Sequence, residues 1–463
     1  MNFSLADKRI LVLGFGKTGE ACVNFLLQQG AKITVNDNKA RTDFDTEKLS
    51  MYEQKGVQFY FGQHSADMCL ASDNVIISPG VEPGWLPRAE MTKKNIALMS
   101  EIELACRFAE GKIIGVTGTN GKTTVTTLLG QIFEKAGYSI AVCGNIGFPF
   151  IQAVQQKKSY DYYIIEISSF QLEAITLFRA HGALLLNIST DHMDRYATLR
   201  EYLFAKWNIF RNQQQGDWAV LNEMQDHYWK EMPEINSSVW KFSSADAVKR
   251  GCFLRNSKIY YQDKTGEQEV MSIDEISLPG VHNIENIMAC IIAGLQEGLS
   301  LETIRGAIAA FKGLPHRMEL VAVQEGITFI NDSKATNPDA VVKALESFQK
   351  NVIIILGGKD KQLGYKELAE PVRKHVKTGI LIGEASRLIY DAIKDTGVYL
   401  EHAGSMHEAV KRAYMLSQQG DVILLSPACA SFDMFQDYVD RGNSFKRAVH
   451  EIIGQNSNKG VTA

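Results

Sequence analysis

Short apolar runs recur along the chain, each closed by a glycine-rich or polar loop and followed by residues at helical spacing. This alternation predicts an α/β protein from end to end. Arg9–Leu13 is the first run, followed by Gly14-Phe15-Gly16-Lys17-Thr18-Gly19, helical spacing to Gln29, and a second run at Lys32–Asp37. Asn74–Ile77 then closes on Ser78-Pro79-Gly80-Val81. Lys112–Ile114 leads through a glycine loop into Val125–Ala136, where Val125, Leu128, Leu129, Ile132 and Phe133 recur with the period of a helix. Tyr162–Ile167 and Ala183–Ile188 read as further buried strands. Between Gln213 and Ile276 shorter alternating segments such as Val239–Phe242 and Lys258–Tyr261 predict a small, mostly β part, followed by a helix over Ile287–Glu297. Farther on, Thr328–Ile330, Asn351–Leu356 and Asp421–Leu425 each open into a polar loop.

This spacing divides the chain into three units. Residues 1–98 form a Rossmann-like unit, 99–312 a central P-loop NTPase-type α/β unit that includes the small β part, and 313–463 a second Rossmann-like α/β unit. The first change of unit is expected beside the charged, helix-like segment Glu101–Glu110. At 463 residues, each unit is long enough to bury its own core. A net charge of −4 supplies no broad attraction for nucleic acid or an anionic membrane, so anion binding must be local. The seven scattered cysteines include no Cys-x-x-Cys pair, which disfavours a disulfide framework or a cysteine metal cluster and fits a reducing cytoplasm. No apolar run approaches the roughly 18 residues of a membrane span. A soluble, cytoplasmic monomer is expected, without nucleic-acid or membrane partners.

The strongest chemical signal is Gly115-Val116-Thr117-Gly118-Thr119-Asn120-Gly121-Lys122-Thr123-Thr124. A glycine loop between strand and helix lets backbone N–H groups approach phosphate oxygens. Lys122 adds a mobile positive charge, and the Thr123 hydroxyl is suited to Mg²⁺. The general pattern has glycine where this chain has Val116. Gly14–Gly19, with Asp37 at the end of the second strand, is the dinucleotide fingerprint, but a diphosphate on a helix start beside a ribose also describes a UDP-sugar. Ser78 lies in a turn where such ligands sit, and it also reads as an ordinary turn residue. Glu166, inside an apolar strand, is costly to bury unless it is paired or metal-bound, which makes it a candidate Mg²⁺ ligand. His192 follows a strand edge between Asp191 and Asp194 and is a candidate site residue. Lys206 by itself reads as a solvated helix lysine. Asn283 and Asn286 stand one helical turn apart, the first suited to capping and the second to an adenine edge.

Taken together, Thr117–Thr124, Gly144-Asn145-Ile146-Gly147, Ser168–Glu173, Asp191–Arg195, Leu314–Arg317, Asn331–Thr336 and Ser426–Ser431 resemble the Mur ligase family, in order and over essentially the whole chain. The family's phosphate loop is of the Gly-Thr-Asn-Gly-Lys-Thr type, which accounts for Val116. The resemblance implies an ATP-dependent amide synthesis in peptidoglycan precursor formation. A carboxylate on UDP-N-acetylmuramoyl-L-alanine would be phosphorylated and then attacked by the amine of D-glutamate.

It also implies roles for individual residues. Gly118, Thr119, Asn120, Gly121, Lys122, Thr123 and Thr124 would hold ATP, with Asn286 on adenine, Asp332 on ribose and Arg317 on phosphates. Thr123 and Glu166 would bind one Mg²⁺. His192 and a carbamylated Lys206 would bind a second, so that Lys122, His192 and Lys206 are the catalytic set. Gly16, Lys17, Thr18, Asp37, Ser78 and Asn145 would hold the UDP-substrate, and Lys334, Thr336, Lys361 and Ser431 D-glutamate.

Overall fold

A computed structural model describes residues 4–457 apart from 157, 194, 279, 362 and 363, with backbone alone for 455–457. Each expected unit contributes one sheet. In the first, β1 (Arg9–Leu13), β2 (Lys32–Asp37), β3 (Gln58–Phe61), β4 (Asn74–Ile77) and β5 (Ala97–Ser100) are parallel in the order β3-β2-β1-β4-β5. The second holds β6 (Lys112–Thr117), β7 (Ile140–Gly144), β8 (Tyr162–Glu166), β9 (Gly182–Leu185), β10 (Trp218–Asn222), β11 (Ser238–Ser243), β12 (Gly251–Arg255), β13 (Lys258–Asp263) and β14 (Gly266–Ser272). Their order is β14-β13-β12-β11-β10-β9-β6-β8-β7, parallel except for the β12–β13–β14 meander. The third contains β15 (Glu319–Gln324), β16 (Ile327–Asn331), β17 (Val352–Gly357), β18 (Val376–Ile382), β19 (Tyr399–His402) and β20 (Val422–Leu425), ordered β15-β16-β20-β17-β18-β19 with only β15 antiparallel.

The stretch from Gln213 to Ile276, expected as a small, mostly β part of the second unit, continues the central sheet. β10 is buried along its whole length, as a parallel strand covered on both faces must be, and it carries the central sheet outward to the meander. Helix limits shift too. Lys122–Lys135 and Val281–Gln296 each begin earlier than their apolar periodicity: the first turn of the former is polar, and in the latter buried Ile284 stands among the buried amides Asn283 and Asn286, which interrupts the apolar pattern. Glu101–Cys106 stops short of Glu110, and the chain turns so that Phe108 meets the Phe25 ring edge-on at 4.9 Å.

By contacts the chain forms two compact units, residues 1–275 with 284–310, and 276–283 with 311–463. The first two sheets belong to the same unit because one apolar cluster runs from Val12, Phe25 and Tyr52 through Ile102 and Leu104 to Ile165, Phe178 and Trp207. Buried Glu103 strengthens the join. Its carboxylate accepts the backbone N–H groups of Thr176, Leu177 and Phe178 at 2.8–3.0 Å and pairs with Arg107 at 2.7 Å.

In every sheet the chain reverses its direction of winding beside a central strand, between β1 and β4, between β6 and its neighbours β8 and β9, and between β20 and β17. Such switch points leave a crevice at the carboxyl ends of the strands. The glycine and serine loops singled out in the sequence all leave from these ends.

Candidate active site

The phosphate loop follows β6, the strand flanked by β8 and β9 and buried from Ile113 to Thr117. Two glycines allow its path. Gly118 has φ +149°, and Gly121 has φ +83° with the Asn286 amide so close that an added Cβ would lie 2.3 Å from its oxygen. Asn286, expected at the adenine, is thus brought against the loop itself. Asn187, at the end of the β9 run, pins the other side. Its oxygen accepts the Asn120 backbone N–H at 2.8 Å, its amide donates to the Asn120 carbonyl at 3.1 Å, and its own carbonyl accepts the Thr119 N–H at 3.0 Å. Gly121 caps the helix without a side-chain acceptor, so the first-turn N–H groups around Thr123 and buried Thr124 gain no partner from a cap side chain.

Two lysines converge on one atom of this loop. Lys122 Nζ donates to the Gly118 and Thr119 carbonyls, both at 2.8 Å, and Lys206 Nζ donates to the Gly118 carbonyl at 2.9 Å. Lys206 is only 2% exposed and lies 4.6 Å above the Tyr202 ring, which overturns the reading of a solvated helix lysine. Tyr202 and Lys206 share the inner face of the helix Leu199–Trp207, one turn apart. Burial, and then the charge of Lys122, push the Lys206 amine well below its ordinary pKa, against the opposing pull of Asp191 and Glu166.

Glu166 ends β8 at 3% exposure. One carboxylate oxygen accepts the Asn145 amide at 3.0 Å; the other, Oε2, is buried with no hydrogen-bond partner. His192 stands in a left-handed turn at φ +55°, half exposed, with its N–H on the Asp191 carboxylate at 2.9 Å. Its ring meets Phe170 edge-on at 4.8 Å and Tyr202 at 6.0 Å. Among the described residues no three His, Cys, Asp or Glu side chains gather as a self-sufficient metal cluster. Mg²⁺ does not need one, since it keeps waters and phosphate oxygens and takes one or two carboxylates from the protein. An orphan buried carboxylate oxygen beside a phosphate loop fits that donor set.

In the first sheet, both Asp37 oxygens hold backbone, Oδ2 the Phe15 N–H at 2.7 Å and Oδ1 the Lys39 N–H at 3.0 Å, so this carboxylate shapes the Gly14–Gly19 loop. Gly16 caps the helix that begins at Lys17 and Thr18. Ser78 donates to the Gly14 carbonyl at 3.2 Å, and Lys17 reaches across to the Gly147 carbonyl, joining the loop to the Gly144–Gly147 segment that carries Asn145.

The second compact unit has its own convergence. Asp332 accepts the Ser426 hydroxyl at 2.8 Å and the Met318 N–H at 3.2 Å. Burial raises its pKa to about 7 even though those bonds and the nearby Arg317 charge favour the anion. Arg317 Nε is buried without a partner. The Lys334–Thr336 loop follows β16, Ser431 is buried at 2% exposure, and Lys361 is exposed on the loop after β17. Fully buried Arg441 ties two of these loops together through the Ser333 hydroxyl and carbonyl at 3.0 and 2.8 Å and the Cys429 and Ala430 carbonyls at 3.0 and 3.1 Å. Asn187, Tyr202 and Arg441 were not anticipated from sequence. Tyr202 had a usable signal, its spacing from Lys206; Arg441, a charged residue in an amphipathic helix, had none.

Three family models match the chain: Mur ligase MurD-like, N-terminal domain over residues 8–99, Mur ligase middle domain over 116–294, and Mur ligase, glutamate ligase domain over 316–429. The UDP-N-acetylmuramoylalanine--D-glutamate ligase of Koribacter versatilis is 43% identical over 449 residues, covering 97% of this chain and 98% of that protein. The enzyme of the same name from Geotalea uraniireducens is 41% identical over 449 residues, again 97% of this chain and 98% of its own. Among solved structures, UDP-N-acetylmuramate-alanine ligase from Thermotoga maritima shares the fold with a TM-score of 0.57 at 19% identity, over 97% of this chain and all of that one. With the phosphate loop, the buried carboxylate and the three switch points in their places, and relatives matching along nearly its full length, the chain belongs to the Mur ligase family.

Proposed function

We propose that this protein joins D-glutamate to UDP-N-acetylmuramoyl-L-alanine at the expense of ATP, and that it does so in the cytoplasm as a monomer. The relatives' names support the substrate pair. The observation that carries the chemistry is the grouping of Lys122, Lys206 and the orphan oxygen of Glu166 around the Gly118 loop. The working domains are residues 1–98 for the UDP-substrate, 99–312 for ATP and 313–463 for D-glutamate.

A carboxylate is a poor electrophile at neutral pH, so ATP must supply a leaving group. An oxygen of the alanyl carboxylate attacks the γ-phosphorus, and the bond to ADP breaks. The D-glutamate nitrogen then attacks the acyl carbon, phosphate leaves with the electron pair, and the nitrogen gives up a proton. The protein's part is placement and compensation of charge. Gly118–Thr124 present backbone N–H groups and Lys122 to the phosphates, Asn286 the adenine contact, Asp332 the ribose contact, and Arg317 a cation for the phosphates. Gly16, Lys17, Thr18, Asp37 and Ser78 hold the UDP end, and Asn145 the muramoyl end. Lys334, Thr336, Lys361 and Ser431 receive D-glutamate.

Thr123 and Glu166 would hold one Mg²⁺, and His192 with Lys206 a second. These ions supply positive charge for the transferring phosphoryl group when bound. Lys206 would serve as a ligand after its neutral amine added carbon dioxide and lost a proton, a step that its depressed pKa favours. Partial recovery of a Lys206→Ala variant by a small free carboxylate would bear this out, and full activity without rescue would refute it.

The deciding experiment is phosphate release from ATP with Mg²⁺ and UDP-N-acetylmuramoyl-L-alanine, comparing D-glutamate, L-glutamate and other amino acids. Release specific to D-glutamate is expected. Release with another amino acid instead would move the chain to a sibling specificity, and no release with any would end the proposal.

A further inference from the structure

We infer that Arg195 is a positioning residue that couples the diphosphate loop of the first sheet to the His192 turn, so that each ligand tightens the other. This rests on the reading of Gly14–Gly19 as the UDP loop and Gly118–Thr124 as the ATP loop. The Arg195 side chain is largely buried and is held from several sides, among them the Val81 carbonyl at 3.5 Å. Its Nη1 donates to the Pro79 carbonyl at 3.0 Å, its Nη2 donates to Glu173 at 2.6 Å, and its guanidinium lies 4.0 Å above the Phe170 ring. Phe170 in turn meets the His192 ring edge-on, and the Arg195 N–H closes the turn by donating to the His192 carbonyl at 3.0 Å.

On the other side, Pro79 adjoins Ser78, whose hydroxyl holds the Gly14 carbonyl at the root of the UDP loop. An added Cβ at Gly14 would meet Ser78 and Val81 at 3.1 Å, so the turn and the loop cannot shift independently. From His192 the packing continues through Tyr202 to the Thr119 hydroxyl, 3.4 Å from the Tyr202 oxygen. Two ligand loops thus share a continuous line of contacts that passes through Arg195. Glu173 is held from a second direction by the Tyr196 hydroxyl, which fixes the carboxylate that pairs with the guanidinium. A lysine in this place could reach Pro79 or Glu173 but could neither fork to both nor stack in the same way.

The test is a two-ligand calorimetric cycle on the full-length chain. UDP binding is measured with and without Mg²⁺ and the non-hydrolysable β,γ-imido analogue of ATP. In the unsubstituted protein each ligand should tighten the other about fivefold or more. Arg195→Ala should reduce that factor to about one, with each single-ligand affinity changed far less. Arg195→Lys should retain part of the factor, and Glu173→Gln, which leaves the cation but loosens its seat, should lie between. Near-UV circular dichroism checks that each variant is folded. An unchanged factor in folded Arg195→Ala, or a factor of one in the unsubstituted protein, would overturn the inference. If either ligand fails to bind the unsubstituted protein at all, the reading of the loops falls instead, and the inference falls with it.

Discussion

The two edges of the central sheet each bury a carboxylate, and they treat it in opposite ways. At the amino edge, Glu297 receives the side chains of Lys112 at 2.8 Å, Tyr162 at 2.8 Å, Trp218 at 2.7 Å and His181 at 3.0 Å. Burial alone would raise its pKa, but the bonds from His181, Lys112, Trp218 and Tyr162 outweigh it and hold the value down to about 2. At the carboxyl edge, Glu166 has one side-chain donor, Asn145, and an oxygen with none. Burying a charge is costly in both places. Where the fold supplies every partner, the charge stabilises the structure; where it leaves one out, the shortfall marks a place for something that arrives from outside.

That contrast can be broken most sharply at Glu166. Glu166→Gln should cut ligase turnover by about 10²–10³-fold while thermal stability stays level or rises, since a buried carboxylate with an oxygen that has no hydrogen-bond donor is replaced by a neutral amide. Assays of turnover and melting on the same preparation check it, and loss of both together would put Glu166 among the structural residues. Glu297→Ala should do the reverse. Stranding the Tyr162 hydroxyl and Trp218 indole should cost about 3 kcal/mol in denaturant unfolding, with little change in turnover per folded molecule.

The smallest effect concerns a third carboxylate, Glu101, and it sharpens the comparison through pH. Burial pushes Glu101 up to about 7, against bonds from the Ile151 N–H, the Gln171 side chain and the Phe150 N–H. Its folded pKa lies above its unfolded one, so the stability it contributes is present below about pH 4.5 and is lost as pH rises through about 7. For Glu297 the sign is opposite: its contribution is present above about pH 4.5 and is lost as pH falls toward 2. Glu101→Gln should therefore flatten the fall in unfolding free energy between about pH 5 and pH 7 by about 2 kcal/mol. An unaltered slope would mean that Glu101 stays ionised in the folded protein.

Much of this was legible in the sequence because the chemistry sits where strands end. An apolar run such as Lys112–Ile114 followed by glycines fixes both the strand and the exit of the loop, and Glu166 was conspicuous as a lone acid in an apolar strand. Lys206 was not legible from its own surroundings. A lysine on an amphipathic helix is solvated unless tertiary packing covers that face, and the covering here comes from the phosphate loop, 88 residues away in sequence. Only the family resemblance singled it out. Arg441 was hidden for a related reason, since its partners are three backbone carbonyls and the Ser333 hydroxyl, none of which signals in the sequence that it will bind an arginine. The small β part after Gln213 was legible from its alternating residues, but its continuity with the central sheet rests on the pairing of β10 with β11, which leaves no mark in the sequence.

The Gly118 carbonyl accepts hydrogen bonds from two lysine side chains at once, Lys122 and Lys206, and their crowding has a consequence. Burial holds the Lys206 amine below its ordinary pKa, and while Lys122 stays on that oxygen its charge does so as well. A triphosphate that draws Lys122 away and brings in negative charge removes that influence. If Lys206 carries the proposed carbamate, its formation is favoured before the nucleotide arrives, and it would set an anion beside Lys122 where two amines now crowd one acceptor.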